Sequence, residues 1–340
     1  MTRIGIVGIG FMGRIHFLAS QSLKDAKVTA VCSRDAAKLA GDWTNTRGNF
    51  GPPPGRVDLS GVKTFADYTA MLADPDIDLI DICTVTDQHA TLAIQALQAG
   101  KHVLVEKAIA LTTADADAML AAAKAAKKLL MVAHVLPFFP EFAYAAKVIR
   151  EGTFGKVTAA HFTRVIARPD WSAAIGDAAK TGGPAVDLHI HDTHFIGLVC
   201  GVPQAVFSSG VVQGDAVNYV STQYLYGPGG PSVTCSSGAV AMGGRPFVHG
   251  FEIFLEHATL SYSSSGVALT LFKKDGTTEV VTLEGGGDPL AAFIAELQTA
   301  ADAVKSGVEP ALLSGQLARD ALVLCHRECE SVRTGKVVVI

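Results

Sequence analysis

The side chains best suited to chemistry are concentrated in one short stretch, "GGPAVDLHIHDTHFI", at residues 182–196. The eight positions from Asp187 to His194 hold three histidines and two aspartates. Histidine titrates near neutral pH and can give or take a proton, and a nearby carboxylate can orient its ring. The same residue types also bind metals or form a polar helix face that does no chemistry. The composition alone leaves all three interpretations open.

Helical spacing separates these histidines. A helix that begins near Pro184, a residue suited to a first turn, places Asp187 and His191 on one face, with His194 continuing it and His189 pointing elsewhere. We expect His191 to be the acid/base group and Asp187 to orient it or to bind a substrate hydroxyl. No H-E-x-x-H motif or cysteine pair supports a metal, and we expect no metal site.

A glycine-rich turn near the N-terminus indicates nucleotide binding. Gly8, Gly10 and Gly13, with Phe11 and Met12 between them, fit G-x-G-x-x-G directly after a strand and at the start of a helix. Glycines let the backbone approach a pyrophosphate, which then lies at the positive helix N-terminus. This context predicts a dinucleotide-binding domain.

The end of the second strand bears on the choice of cofactor. An NAD-preferring protein usually has a carboxylate here for the ribose, whereas this chain has Ser33 and Arg34, with Lys38 one turn later. A hydroxyl and a guanidinium would accept a 2'-phosphate. We therefore expect NADP as the preferred cofactor; NAD remains the alternative, with Asp35 holding the ribose.

The surrounding elements predict two domains and an α/β fold class. Residues 1–135 alternate short β-branched runs with Ala- and Leu-rich helical segments, which indicates a parallel sheet of βαβ units and hence a Rossmann domain. Residues 136–340 contain a series of strands separated by Gly, Pro and Ser, then two helices near 288–306 and 314–332. We expect them to form an α+β domain with a large, mostly antiparallel open sheet for substrate binding and oligomerisation. Residues 44–55, "TNTRGNFGPPPG", are typical of a solvated loop.

Composition narrows the class of protein. Apolar residues make up 49% of the 340 residues and charged residues 18%, with a formal charge of −4. This argues against disorder and against nucleic acid or an anionic membrane as a partner. The six cysteines are scattered and no apolar run is long enough to span a bilayer, so we expect a soluble, cytoplasmic protein.

Four segments together resemble the glucose-fructose oxidoreductase / inositol dehydrogenase / MocA (Gfo/Idh/MocA) family over nearly the whole chain. They are "GIGFMGRIH", "DICTVTDQHATLAIQALQAGKHVLVEKAIALT", "HVLPFFPEFAYAAKVIREGTFGKV" and "GGPAVDLHIHDTHFI". The resemblance implies an NAD(P)-dependent oxidoreductase of sugars, polyols or inositols. It also implies that Lys107 lies between nicotinamide and substrate, that Asp187 and His191 supply polar catalytic groups, and that the C-terminal sheet forms a homodimer or homotetramer.

The chain departs from the family pattern in several places. Family members usually have proline after the lysine, where this chain has Ala108. Because a cis bond before a non-proline residue costs about 2.5 to 4 kcal/mol, we expect a trans bond and a shifted Lys107. Val85 stands in place of the usual proline and His194 in place of the usual aspartate, and the loop at 44–55 is interpreted as an insertion.

These considerations give a set of expected site residues and functions. In addition to the glycine turn and residues 33–38, we expect the cofactor to contact Thr84, Val85, His89, Glu106 and Lys107. We expect a small carbohydrate or cyclitol substrate to contact Arg164, Arg168, Trp171 and His194. Hydride transfer at a carbinol carbon is the expected reaction, with His191 and Lys107 handling the proton, although Lys107 alone could also do so. The alternatives are a closed-cycle enzyme with tightly bound cofactor (an epimerase, transhydrogenase or lyase) and a non-catalytic dinucleotide-binding regulator.

Overall fold

A computed structural model describes residues 1–168, 177–283 and 288–340 of the chain. In the N-terminal part, strands and helices alternate. The order is β1 (Thr2–Val7), α1 (Phe11–Ser20), β2 (Ala26–Cys32), α2 (Ala36–Leu39), β3 (Lys63–Phe65), α3 (Tyr68–Leu72), β4 (Leu79–Ile82), α4 (His89–Gln98), β5 (His102–Glu106), α5 (Thr113–Ala126) and β6 (Leu130–Ala133).

These strands form one parallel sheet of six strands in the order β3-β2-β1-β4-β5-β6. The order reverses beside β1, the point at which open α/β sheets bind ligands at their carboxyl edge. The short edge strand β3 is an addition to the five strands that the sequence predicts. The central strands are buried along their length, as in β4, where all four residues are buried. Burial on both faces explains their continuous apolar sequences.

The second part begins with helices and continues with long strands. Its elements are α6 (Pro140–Arg150), β7 (Val157–Ala167), α7 (Ala178–Thr181), α8 (Pro184–Asp187), α9 (Ile190–Cys200), β8 (Ala205–Gln213), β9 (Ala216–Leu225), β10 (Ser232–Ala241), β11 (Val248–Leu255), β12 (Ala258–Ser263), β13 (Val267–Lys273) and β14 (Thr278–Val280). Strands β11 and β12 form an antiparallel hairpin.

With β15 (Val338–Val339), the strands of the second part form a nine-stranded sheet within the described residues, in the order β14-β13-β12-β11-β7-β10-β9-β8-β15. The β7–β10 pair is parallel and the other described pairs are antiparallel. This confirms the predicted fold class of a Rossmann domain with a mostly antiparallel open-sheet domain.

Two long helices complete the chain, α10 (Ala291–Ser306) and α11 (Gly315–Thr334). Contacts divide the described residues into two compact units. The first contains residues 1–138 and 288–319, and the second contains residues 139–168, 177–283 and 320–340. The division thus differs from a simple cut into 1–135 and 136–340, because α10 packs on α1 and β1. No helix in the described part of the chain is long and apolar enough to cross a membrane.

Candidate active site

The glycine turn joins β1 to α1 and has the shape that a dinucleotide requires. Gly8 has a φ of +93°, and a Cβ there would lie 2.8 Å from the carbonyl oxygen of Cys83. A Cβ on Gly13 would lie 2.1 Å from the carbonyl oxygen of Gly8. Gly10 has no atom within 4 Å of a Cβ position, so the space beside it is open. The turn therefore has its close backbone packing and an open side at the N-terminus of α1, where a pyrophosphate would fit.

The residues after β2 present cationic groups near this turn. The Lys38 ammonium donates a hydrogen bond to the carbonyl oxygen of Ile9, at 2.6 Å, and Arg34 is exposed. Asp35 caps α2, because its carboxylate accepts a hydrogen bond from the backbone N–H of Ala37 at 3.0 Å. The carboxylate that could hold a ribose is thus already engaged by the helix.

The loop at 44–55 folds onto the start of α1. The Phe50 ring packs edge-to-face on Phe11, with ring centroids 4.8 Å apart, and stacks on Phe293 of α10 at 5.3 Å. The Arg14 guanidinium donates hydrogen bonds to the carbonyl oxygens of Pro52 and Pro53. The loop is therefore anchored beside the glycine turn, and most of its residues are exposed, as its composition predicted.

Lys107 follows β5 directly and is partly exposed. The expected trans bond after it is wrong: the Lys107–Ala108 peptide bond is cis. Ala108 is fully buried, and its carbonyl oxygen accepts a hydrogen bond from Nδ1 of His89 at 2.8 Å.

Two expected cofactor contacts, at His89 and Glu106, are turned inward. Besides its bond to Ala108, the His89 ring has Nε2 at 3.2 Å from the carbonyl oxygen of Thr84, and burial lowers the pKa of this histidine. Both His89 and Glu106 are buried, and their expected contact with the cofactor stays a prediction. Val85 precedes a short 3-10 helix at 86–88.

Glu106 belongs to a buried cluster around His16 that sequence reasoning missed. His16 Nδ1 lies 2.9 Å from an Asp81 carboxylate oxygen, and Nε2 lies 3.1 Å from Glu106 and 3.9 Å from Glu296. Burial disfavours a charged imidazole here, but Asp81 and Cys83 more than offset it and raise the pKa of His16 well above its usual value. Burial also raises the pKa of Glu296. The His16 ring therefore lies between the carboxyl groups of Asp81 and Glu106.

The histidine stretch forms two helices where the sequence predicted one. Gly182 and Gly183 have positive φ angles of 81° and 74°, and α8 begins at Pro184 as expected. The helix is then interrupted at Leu188 and His189 before α9 begins. Asp187 and His191 are partly exposed, whereas His189, Asp192, Thr193 and His194 are buried. The two expected catalytic groups are therefore the accessible polar residues of this stretch.

The buried polar residues of the stretch form ion pairs inside the second unit. Arg164 on β7 makes a two-pronged pair with Asp192, at 2.7 and 3.0 Å. His189 Nε2 lies 3.0 Å from Glu328 on α11. Burial opposes the charge on His189, but Glu328 outweighs it and raises the pKa of this histidine. These pairs fix α9 against β7 and α11.

Several expected substrate contacts are therefore corrected. Arg164 is buried because its guanidinium neutralises Asp192, and His194 has no exposed surface because α9 packs it into the core. Neither is available to a substrate. Arg168 is exposed at the end of β7, and Trp171 lies outside the described residues.

Among the described residues, two sets of side chains come close enough to hold a metal, namely His16 with Asp81 and Cys83, and His189 with Asp192 and Cys235. In both sets the side chains pair with one another or with neighbouring carboxylates, which fits their chemistry better than a bound metal. Both imidazoles already face carboxylates, and burial raises the pKa of the Cys83 and Cys235 thiols, which disfavours the thiolate that a metal binds.

The burial of His194 predicts a pH-dependent stability. Burial lowers the pKa of His194 to about 3 in the folded protein, whereas the unfolded chain takes up its proton near the ordinary value of about 6.5. Between these values the unfolded state binds more protons, so the free energy of unfolding falls as the pH falls, by up to about 1.4 kcal/mol per pH unit from this group. Urea titrations from pH 7 to pH 4 should show a shallower fall for His194→Leu.

The matched control for this prediction is the exposed His257, replaced by glutamine. Parallel pH curves for His194→Leu and the parent would contradict the proposed cause.

A parallel sheet with a glycine-rich turn at its ligand-binding edge, followed in the chain by an open-sheet α+β unit, defines a dinucleotide-binding protein of two domains. The chain belongs to the Gfo/Idh/MocA family of oxidoreductases. Residues 2–134 match the family's NAD-binding Rossmann-fold model and residues 142–261 match its C-terminal domain.

Similar proteins cover the full length of the chain. Myo-inositol 2-dehydrogenase of Thermotoga maritima is 26% identical over 99% of this chain and 98% of its own. Inositol 2-dehydrogenase of Rhizobium meliloti is 26% identical over 99% of both chains. The fold is also shared with levoglucosan dehydrogenase in complex with NADH and levoglucosan, with a TM-score of 0.84 at 21% identity over 100% of this chain and 99% of that one.

Proposed function

We propose that this protein transfers a hydride between a nicotinamide dinucleotide and a carbinol carbon of a sugar, polyol or inositol. Full-length similarity to two inositol 2-dehydrogenases is the observation that carries the proposal. Within the chain it is supported by the open glycine turn and by three accessible polar groups, Lys107, Asp187 and His191. The nicotinamide supplies or accepts the hydride when it is bound.

In this proposal the protein's own groups manage the proton. His191 takes or gives the hydroxyl proton, and Asp187 orients it or binds a substrate hydroxyl. Lys107 stabilises the negative charge that develops on the substrate oxygen. An assignment of the proton to Lys107 itself is the second possibility, and the variants discussed below separate the two.

We propose NADP as the preferred cofactor, with NAD as the alternative. Arg34 is exposed at the end of β2 and makes no ion pair within the described residues, so its guanidinium is available for a 2'-phosphate. Asp35 is occupied as the cap of α2, which favours the phosphate over a ribose held by this carboxylate.

Arg34→Ala is therefore expected to weaken NADP binding and leave NAD binding nearly unchanged. A hydrogen bond to a charged group contributes about 1.5 to 3 kcal/mol, which corresponds to about a 10- to 100-fold change in Kd. Fluorescence titration of the purified protein with NADPH and with NADH measures both values, and NADH serves as the internal control. Equal weakening of both would show that Arg34 does not read the 2'-phosphate.

The reaction is tested with a panel of sugars, polyols and inositols, each supplied with NADP and with NAD, by following formation of reduced nicotinamide. We expect one structural group of these alcohols to be oxidised, and we expect Lys107→Met to slow formation of reduced nicotinamide by about 10²- to 10⁴-fold. No turnover of any alcohol or of the matching ketones and aldonic acids would overturn the proposal.

We also propose that the protein is a homodimer or homotetramer assembled through the nine-stranded sheet. Phe207, Phe254 and Phe272 are about 40% exposed, at 42%, 38% and 44%, on strands of this sheet. Large exposed apolar groups on one sheet are typical of an interaction surface.

All six cysteines are free thiols, which fits the reducing cytoplasm expected from sequence.

A further inference from the structure

The buried cluster around His16 connects three elements of the nucleotide-binding unit to the backbone of Lys107. Asp81 lies on β4, His16 on α1 and Glu106 at the end of β5. Asp81 accepts a hydrogen bond from Nδ1 of His16 at 2.9 Å, and Nε2 lies 3.1 Å from one Glu106 oxygen. The other Glu106 oxygen accepts a hydrogen bond from the backbone N–H of Lys107, also at 3.1 Å.

We propose that Glu106 is a positioning residue for Lys107 and that His16 holds Glu106 in this role. The inference rests on the proposed function, in which Lys107 stabilises charge on the substrate oxygen. A lysine side chain has many rotamers, so its ammonium can be placed well only if the backbone beneath it is fixed. A misplacement of about 1 Å at a reacting centre can cost about 100-fold in rate.

Burial opposes any movement of the Glu106 carboxylate away from His16. Glu106 is 6% exposed and His16 is fully buried, so neither charge reaches water. A buried charge is tolerated only when it is paired, and movement of Glu106 away from His16 would leave its carboxylate without this partner, although His16 would keep Asp81. The carboxylate therefore stays where it can accept the Lys107 N–H.

A second glutamate in the same cluster provides a natural control. Glu296 on α10 is fully buried, and its nearest oxygen lies 3.9 Å from His16 Nε2. Neither of its carboxyl oxygens has a hydrogen-bond donor within the described residues. Burial raises the pKa of Glu296. It shares the burial and the charge environment of Glu106 but does not contact Lys107 through any hydrogen bond of its own.

The first test needs no substrate. Amide hydrogen exchange of the peptide containing residues 102–110 is compared in the parent, Glu106→Gln and Glu296→Gln. Loss of the charged acceptor is expected to speed exchange of the Lys107 amide by about tenfold or more, because hydrogen bonds to charged groups contribute about 1.5 to 3 kcal/mol. Glu296→Gln should exchange at the parental rate.

The second test compares turnover with dinucleotide binding. With the most active alcohol of the panel, Glu106→Gln is expected to lower kcat about 10- to 100-fold while the Kd for NADPH changes less than about threefold. Glu296→Gln should keep both values. We expect His16 and Glu106 to act as one unit. The double variant with His16→Gln and Glu106→Gln should therefore show a smaller fold-loss of kcat than the product of the fold-losses in the two single variants.

The outcomes separate this inference from the proposed function. If the parent turns over no alcohol, the proposed function fails. If Lys107→Met keeps full activity, the proposed function stands, but Lys107 has no part in it and the positioning role is overturned. If Lys107→Met is inactive and Glu106→Gln matches Glu296→Gln in exchange and in kcat, the positioning role alone is overturned. Should Glu106→Gln fail to fold, Glu106→Asp, which keeps the charge but is one methylene shorter, must show the same faster exchange and lower kcat, and parental values there would overturn the inference.

Discussion

Lys107→Met is expected to lower kcat by about 10²- to 10⁴-fold with little change in dinucleotide affinity. Methionine has nearly the length of lysine without the ammonium, so it removes the charge that would stabilise the developing alkoxide while it keeps most of the packing. Lys107 is partly exposed directly after β5, so the substitution should leave the sheet intact. Steady-state kinetics and NADPH fluorescence titration measure the two quantities.

The matched control is Lys124→Met, at an exposed position on α5 of the same unit. It should retain parental kcat. A Lys107→Met protein that turns over at the parental rate would remove this lysine from the mechanism.

The pH profile of kcat/KM assigns the proton. If His191 is the acid/base group, His191→Asn should abolish the titration that the parent shows near neutral pH, because asparagine cannot accept the proton. If Lys107 carries the proton, that titration should persist in His191→Asn. The profile therefore decides between the two assignments.

Asp192→Ala is expected to reduce the free energy of unfolding by about 3 to 5 kcal/mol. The Asp192 side chain is fully buried and its Arg164 partner is 5% exposed, with both oxygens engaged by the guanidinium. Removal of one partner leaves a buried charge without compensation, which is much more costly than the pair itself is stabilising. Urea unfolding monitored by circular dichroism measures the loss.

Two further variants test this cause. Arg164→Met combined with Asp192→Leu removes both charges and should recover most of the lost stability, since well-packed apolar residues can replace a buried pair. Glu279→Ala breaks the exposed Lys273–Glu279 pair and should cost less than about 1 kcal/mol. A double variant as unstable as Asp192→Ala would show that the loss comes from packing instead of charge.

The sequence predicted the fold well because its signals are local. Continuous apolar strands separated by helices led to the parallel sheet, and the glycine spacing led to the turn at Gly8 and Gly13, whose backbone contacts exclude a Cβ. The edge strand β3 was missed because it has three residues with no buried position. A strand of that length has little periodicity to detect.

The candidate site was predicted in part. Spacing singled out Asp187 and His191, and both are accessible in the structure. The interruption at Leu188 and His189 was not predictable, because neither residue is a helix breaker. The break accompanies the pairing of His189 with Glu328, a residue far along the chain.

The wrong expectation for Arg164 and the missed cluster around His16 have the same cause, which is pairing between residues far apart in the sequence. Arg164 was expected to face a substrate because arginine binds hydroxyls well, but Asp192 neutralises it across 28 positions of sequence. The His16 cluster joins residues as distant as Glu296, and nothing local to any of them indicates the others. One sequence without comparison carries no signal for such partners.

Isotope transfer shows whether a hydride passes between the nicotinamide and the carbinol carbon of the alcohol. The purified protein is given oxidised NADP and the active alcohol deuterated at the carbinol carbon, and the reduced cofactor is analysed by mass spectrometry. We expect one deuterium on the nicotinamide ring of the reduced cofactor, formed about 10²- to 10⁴-fold more slowly with Lys107→Met. Reduced cofactor without deuterium, or alcohol consumed with no reduced nicotinamide formed at any stage, would contradict hydride transfer.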